Sequence, residues 1–243
     1  ITQNDTTICF GDSIVLSVGN TNSSNACVLP PNLQSGLVAY YPFCANANDE
    51  SGNGNDGVVN GATLTNDRFG NSGSAYYFDG QNDGITVADH NSLDLTDFSI
   101  SAWVRIDNTN QEIIEIFSKG GDMFENYEFL IYGPPHSLFG SVETAIKFTD
   151  STRGGFASGS IFGAYIDSIA WQHITTTYSV NDGNARFYLN GAYIGFINLS
   201  NKIPQTNNSN LTIGFDQAVG RRCLGYIDDI GIWNRPLSAQ EIQ

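Results

Sequence analysis

The stretch from Trp171 to Gln243 decides the fold: WQHITTTY (171–178), RFYLNGAYIGF (186–196), LTIG (211–214) and GYIDDIGIWNRPLSAQEI (225–242). Ile174, Thr176 and Tyr178 alternate with Thr175 and Thr177, a β-branched strand pattern. Asn181-Asp182-Gly183-Asn184 carries turn chemistry. Asn190-Gly191, between two strand-like runs, predicts a type I′ hairpin. Leu211 to Gly214 reads as a short strand. Tyr226 to Trp233 is apolar on both faces, as a central strand is. Ser238-x-x-Glu241 is a capping box that opens a short terminal helical turn.

These residues carry a resemblance. The order W-x-H-I, Y-x-N-G, L-x-I-G, G-x-I-D-D-x-x-I-W-N-R-P-L-S-x-x-E-I is similar to that of the laminin-G-like, concanavalin A-like jelly-roll domain of bacterial surface and secreted proteins. GLVAYYPFCANANDESGNGNDGVVNGA (36–62), AYYFDGQNDGITV (75–87) and LDLTDFSISAWVRI (93–106) resemble earlier parts of the same family, in the family's order. The resemblance implies an all-β chain, a two-sheet antiparallel β-sandwich over residues 36–243. Such a fold hosts lectins, adhesins, enzymes and spacers, so function must be argued from a site.

Composition agrees with many strands joined by polar turns. The chain has 243 residues, only 14% of them charged, with 26 Gly and one Met. A formal net charge of -15 argues against nucleic acid and anionic membrane as partners. It suits calcium or a neutral glycan, and equally plain solubility. No apolar run reaches transmembrane length, so membrane insertion is not expected. Ile1 opens the sequence with no basic and apolar leader, as in a mature or excised part of a longer chain. An extracellular or cell-surface location is the expectation.

Residues 1–35 differ from the rest and form an N-terminal extension. TTICFGDSIVLSV (6–18) resembles the opening strands of Ig-like repeats in surface proteins of Bacteroidetes-type bacteria. One reading is a linker that packs on the main domain; the other is a strand that augments a sheet of its own or a neighbouring copy.

The four cysteines, Cys9, Cys27, Cys44 and Cys223, allow three pairings. Cys9–Cys27, closing a local loop, and Cys44–Cys223 are the expected bonds; the second is supported by the resemblance, which places the domain's termini side by side. Their scatter, with no C-x-x-C, argues against zinc.

Asp49-Glu50-Ser51-Gly52-Asn53-Gly54-Asn55-Asp56-Gly57 places oxygen side chains at alternate positions before Gly, as the front of a calcium loop does. Asn60 stands where an EF-hand would place its bidentate Glu, so other ligands must come from elsewhere. Asp49, Ser51, Asn53 and Asp56 are the candidates here. Asp228, read as sharing a strand face with Ile230 and Ile232, and Asp79 complete the set. The resemblance, to a family that often carries a structural calcium, favours the metal over a plain turn cluster.

Phe98, Ile100, Ala102, Val104 and Ile106 alternate with Ser99, Ser101, Trp103 and Arg105, the first set being core. Trp103 is expected to lie under a loop or the second sheet rather than to serve as a ligand platform. Ala75–Phe78 and Ile85–Val87 read as a hairpin, and further strands are expected at 113–118, 127–132, 138–142 and 146–148. Ser151 to Ser160 reads as an exposed mobile loop. In lectin-type relatives, strands and loops of this region line the concave face, where sugars stack on aromatic rings. The resemblance thus makes Tyr127, Tyr132, His136, Arg153 and Tyr165 candidate ligand-binding residues, although aromatics are ordinary strand residues too.

The E-x-D-x-E pattern of hydrolytic carboxylates is absent, and Glu112 and Glu115 fall on opposite strand faces. No nucleophile elbow, zincin or phosphate-loop motif occurs. The reading is a non-catalytic module that binds a glycan or surface protein and is stabilised by calcium. The alternative is a structural unit of a surface stalk or filament, copies being joined by the N-terminal strand.

Overall fold

A computed structural model describes residues 27–107, 111–120, 126–133, 137, 140–157, 170–216 and 218–243. Within them the chain forms two stacked antiparallel sheets. The strands are β1 (Leu37–Tyr41), β2 (Gly57–Asn60), β3 (Thr63–Thr65), β4 (Ala75–Asp79), β5 (Gly84–Val87), β6 (Phe98–Ile106), β7 (Ile113–Lys119), β8 (Tyr127–Tyr132) and β9 (Val142–Lys147). They continue with β10 (Arg153–Ala157), β11 (Gln172–Ser179), β12 (Asn184–Leu189), β13 (Ala192–Asn198), β14 (Leu211–Ile213), β15 (Phe215–Asp216), β16 (Arg221–Arg222) and β17 (Leu224–Trp233). The eight-stranded sheet has the order β13-β12-β11-β6-β17-β4-β3, with β1 also paired to β17; the seven-stranded sheet has the order β10-β9-β8-β7-β14-β5-β2.

The alternation along β6 works as read. Phe98, Ile100, Ala102, Val104 and Ile106 are buried in the core between the sheets. They meet Tyr127, Phe129 and Ile131 of β8 and Ile85, Leu211 and Ile213 of the facing sheet. Asn190 and Gly191 both have positive φ, 52° and 78°, so β12 and β13 form the expected type I′ hairpin. The central position expected for β17 is also found: it pairs with β6 on one side and with β4 and β1 on the other. Ser238 and Glu241 form a reciprocal capping box that starts α1 (Ala239–Ile242).

Five expectations are corrected. β4 and β5 are not a hairpin: β4 joins the eight-stranded sheet and β5 the seven-stranded one. Phe78 and Ile85 both point into the core, so their connection steps from one layer to the other. Of the runs 138–142 and 146–148, Val142 and Ile146–Lys147 belong to one strand, β9, and residues 138 and 139 lie outside the described residues. Thr144 interrupts its apolar pattern because its hydroxyl bonds Thr176 of the other sheet, 2.8 Å away. Within 151–160, Arg153–Ala157 is an edge strand paired with β9. Gly154 has no Cβ because one would lie 2.8 Å from the Phe148 ring.

The cysteine pairing differs as well. Cys27 bonds Cys44, and Cys223 is a free, buried thiol. Both Cys9–Cys27 and Cys44–Cys223 are therefore replaced; Cys9 itself lies outside the described residues. Cys223 belongs to the core at the start of β17, while Cys44 lies beyond β1, which pairs with the far end of that strand.

The last correction concerns β17. Asp229 has φ 46°, and the register with β6 shifts between Asp228 and Gly231. This bulge inserts a residue. Ile227 and Ile230 both face the core, and Asp228 is turned to the outer face, opposite Trp103. Asp228 does not share a face with Ile230 and Ile232.

The segment before β1 lies against the C-terminus. Leu29 and Leu33 pack on a small cluster of Tyr188, Trp233, Leu237 and Ile242. The Trp233 indole donates to Leu33 O at 2.7 Å and the Arg235 guanidinium to Ser35 O at 2.7 Å.

Candidate functional site

The loop expected to hold calcium is organised by hydrogen bonds. One Asp49 oxygen accepts from the backbone N–H groups of Tyr40 and Ser51, each at 2.9 Å. The other accepts from the Ser51 hydroxyl at 2.8 Å and Asn55 N–H at 3.0 Å. Asn53 turns its amide onto the carbonyls of Leu37 and Val38, and Asp56 accepts from Asp49 N–H. Asp49, Ser51, Asn53 and Asp56 thus share a loop, but their oxygens face its own donors. Asp79 accepts from Gln81 N–H, and Asp228 pairs with Arg68. The six residues do not converge on one point, and the donor set does not fit a cation cage.

The residues expected to bind a ligand also separate. Tyr127 is fully buried between Phe98 and Phe117 and belongs to the core. His136 and Tyr165 lie outside the described residues. Tyr132 and Arg153 do meet, on the outer face of the seven-stranded sheet. The Tyr132 hydroxyl donates to Glu143, and Arg153 pairs with Glu128 at 2.9 Å and Glu143 at 3.5 Å. Burial, then the Glu143 bond, raises the Tyr132 hydroxyl well above its ordinary range.

The outer face of the eight-stranded sheet carries the richer array. Cross-strand register brings Trp103 beside His173 and Asp228, and Tyr226 beside Tyr77 and Arg105. The Trp103 and His173 rings stack with centroids 5.1 Å apart. The Arg68 guanidinium lies 4.5 Å from the Trp103 ring and 4.5 Å from that of Phe69, which is 74% exposed. Arg105 lies 3.8 Å over Tyr226, which also meets Trp171 and Tyr77. Trp103, His173, Arg68, Arg105, Trp171, Tyr226 and Tyr77 are all half-buried, each offering an edge or face to solvent. Flat rings and planar guanidinium groups stack on one another and so hold the array in place.

Beside Trp103 opens a cavity of about 370 Å³. Its floor is Ser101, Trp103, His173, Thr175 and Gly231; Tyr40, Arg68 and Asp229 stand on one side. Leu29, Leu33, Trp233 and Glu241 close the other. The Tyr40 hydroxyl donates to Asp229 at 2.7 Å, and the His173 Nε2–Ser101 Oγ distance is 2.6 Å. Burial, then Arg68, lowers the His173 imidazole to about 4, so it is neutral at pH 7. Arg68 pairs with Asp228 at 2.8 Å and Asp229 at 2.7 Å. Burial and the adjacent Asp229 nevertheless push the Asp228 carboxyl up to about 8, against that guanidinium. Among the described residues, Thr175 Oγ1 and Arg68 Nε have no partner.

This face was not foreseen as a site. Of the two places expected for Trp103, it lies under the turn that carries Arg68 and not under the second sheet. Its signal was present in β6, where Trp103 and Arg105 occupy the polar side of a clean alternation. Arg68 and Phe69 come from a turn whose proximity only the fold creates.

Solved structures share the architecture. The binding domain of Paraclostridial Mosquitocidal Protein 1 superposes with a TM-score of 0.67 at 21% identity, over 86% of this chain and 51% of that one. Domain 4 of AbnA, a GH43 extracellular arabinanase from Geobacillus stearothermophilus, solved with arabinotriose, gives 0.63 at 18%, over 85% and 96%. The botulinum neurotoxin serotype D ligand binding domain, solved with N-acetylneuraminic acid, gives 0.65 at 18%, over 87% and 50%. The chain thus spans about half the length of the first and third of these. At such identities they show the fold. A search of curated proteins gives no match. The sequence model of the laminin-G-type family described as the concanavalin A-like lectin/glucanases superfamily matches residues 79–243, more than half of the chain, and the chain belongs to that family.

Proposed function

We propose that this chain is a non-catalytic, glycan-binding module of an extracellular protein, and that it binds through the outer face of its eight-stranded sheet. The observation that carries the reading is the Arg68–Trp103–His173 stack that lines the cavity, with the exposed Phe69 ring against Arg68. Sugar rings present C–H faces that pack on aromatic rings, and hydroxyls that bond to arginine, hydroxyl and carboxylate groups. Both kinds of group stand together here. A cavity of about 370 Å³ is within the range of small-ligand sites. Two neighbours in fold were solved with a saccharide, which supports the same class of ligand.

An extracellular setting is supported by the Cys27–Cys44 disulfide. No helix among the described residues is long and apolar enough to cross a membrane. The carboxylates that converge on the other sheet support a non-catalytic role. Glu115 and Glu128 are almost wholly buried, out of reach of a polysaccharide.

The test is titration of the chain with oligosaccharides, beginning with arabinotriose and N-acetylneuraminic acid, followed by tryptophan fluorescence and calorimetry. Binding that falls at least about tenfold in Trp103→Ala, a loss of roughly 1.4 kcal/mol, supports the site. Binding unchanged in Trp103→Ala and Phe69→Ala, or absent across a broad glycan panel, rejects it.

A further inference from the structure

A second cluster lies on the opposite side of the molecule, where the β15–β16 hairpin packs against β7. Glu115 stands between the core residues Ile114 and Ile116 and so points outward. Glu128 does the same between Tyr127 and Phe129, and Glu143 follows on the next strand. Asp216 comes from the hairpin. Glu115, Glu128, Glu143 and Asp216 are all buried.

Their charge is not balanced. Arg221 pairs with Glu128 at 2.6 Å and reaches Glu115 only at 3.9 Å; Arg153 pairs with Glu128 and Glu143. Those two guanidinium groups face four carboxylates. All Lys and Arg residues of the chain lie within the described residues, so no further permanent cation can come from elsewhere in it. The deficit centres on Glu115, which is fully buried and has neither oxygen hydrogen-bonded. A buried carboxylate in that state carries a large desolvation cost unless a cation or proton meets it.

We propose that Glu115, Glu128 and Asp216 bind one divalent cation, and that the cation is calcium. One oxygen from each lies within 4.8 Å of the others. Calcium takes oxygen ligands at about 2.3–2.6 Å, so two ligands on opposite sides of the ion stand about 5 Å apart. Magnesium demands a tighter octahedron of about 2.0–2.1 Å, and an all-carboxylate set does not suit zinc or copper. The arginines on Glu128 leave it competent: each of its oxygens has a second lone pair. The bound ion joins β7 and β8 of the sheet to the hairpin that covers them. This site is distinct from the Asp49 loop, and it stands whether or not the opposite face binds a glycan.

The experiment uses the whole chain stripped with chelator, titrated calorimetrically with calcium, magnesium and manganese chlorides, with thermal unfolding in parallel. One calcium should bind per chain. The midpoint should rise by about 5–10 °C at a concentration near one hundred times Kd. Glu115→Gln and Asp216→Asn should each weaken calcium binding by tenfold or more, and Asp49→Asn should leave its affinity unchanged. If Glu115→Gln does not fold, Asp216→Asn, in the covering hairpin, decides. No calcium binding by the wild type, binding retained in Asp216→Asn, or binding lost only in Asp49→Asn would each overturn the proposal.

Discussion

Asp228 lies directly across from Trp103 on the outer face of the eight-stranded sheet, and Arg68 bridges them, over the Trp103 ring at 4.5 Å and paired with the Asp228 carboxylate at 2.8 Å. The Asp229 bulge fits this relationship to the core. Strict alternation from Ile227 would carry Asp229 into the core and Ile230 to the outer face; the inserted residue keeps Ile230 inside while Asp228 stays outside, at the ring. The same bulge presents Asp229 to Arg68 and Tyr40. A backbone irregularity thus assembles the wall of the cavity.

Arg68 is therefore structural as well as a ligand candidate. Arg68→Met leaves the nearly buried Asp228 facing Asp229 without a cation. Above the Asp228 pKa of about 8, where its carboxylate is ionised, we expect a loss of about 3 kcal/mol in urea unfolding, and a smaller loss at pH 7. The double variant Arg68→Met/Asp228→Asn should recover part of it. Equal stability of Arg68→Met and wild type would show the pair to be idle.

His173 makes the pH dependence specific. Its folded pKa, about 4, lies below the ordinary histidine value, because burial and the nearby Arg68 both disfavour the imidazolium. In this state the unfolded chain binds more protons between about pH 4 and 6.5. The contribution is full above about pH 6.5 and is lost as pH falls towards 4, by up to about 3 kcal/mol. Stability curves of wild type and His173→Gln should diverge across that window, and the imidazole NMR signals should titrate near 4. A midpoint near 6.5 would contradict the buried stack with Trp103 and the contact with Ser101.

The disulfide and the thiol separate cleanly. Peptide mapping should recover Cys27 joined to Cys44, 17 residues apart. In a Cys9→Ala background, the Cys223 thiol should resist alkylation until the chain unfolds, since it is buried and burial raises its pKa. Removing the Cys27–Cys44 bond should cost about 3 kcal/mol, the loop-closure value for a loop of this size.

Asp49 gathers four donors from its own loop and from β1. Asp49→Ala should destabilise the chain by roughly 3 kcal/mol, because buried N–H groups are left unpaired. The loss should be the same in calcium and in chelator. A loss seen only with calcium would restore the loop as a metal site.

Much of the architecture was readable from local pattern. The alternation of β6, the Asn190-Gly191 hairpin and the Ser238–Glu241 cap each depend on neighbours within a few residues, where steric and hydrogen-bonding rules act directly. Failures came where a residue answered to a distant partner. Thr144 reads as a break until Thr176 is found across the core. Asp228 reads as a core-facing carboxylate until the bulge is seen. Tyr132 and Arg153, candidate ligand contacts in the sequence, do meet, through Glu143 and Glu128, which no local pattern announces.

The linear chain therefore settled the periodicities: which residues pair into strands, which side of each strand is apolar, and which family the motifs resemble. Register between strands far apart in sequence settled the rest. It joined Cys27 to Cys44, laid Arg68 on Trp103, and brought Glu115, Glu128 and Asp216 within 4.8 Å. Such contacts carry no local signature, because the free energy that sets them belongs to packing two sheets around one core and not to any short stretch of residues.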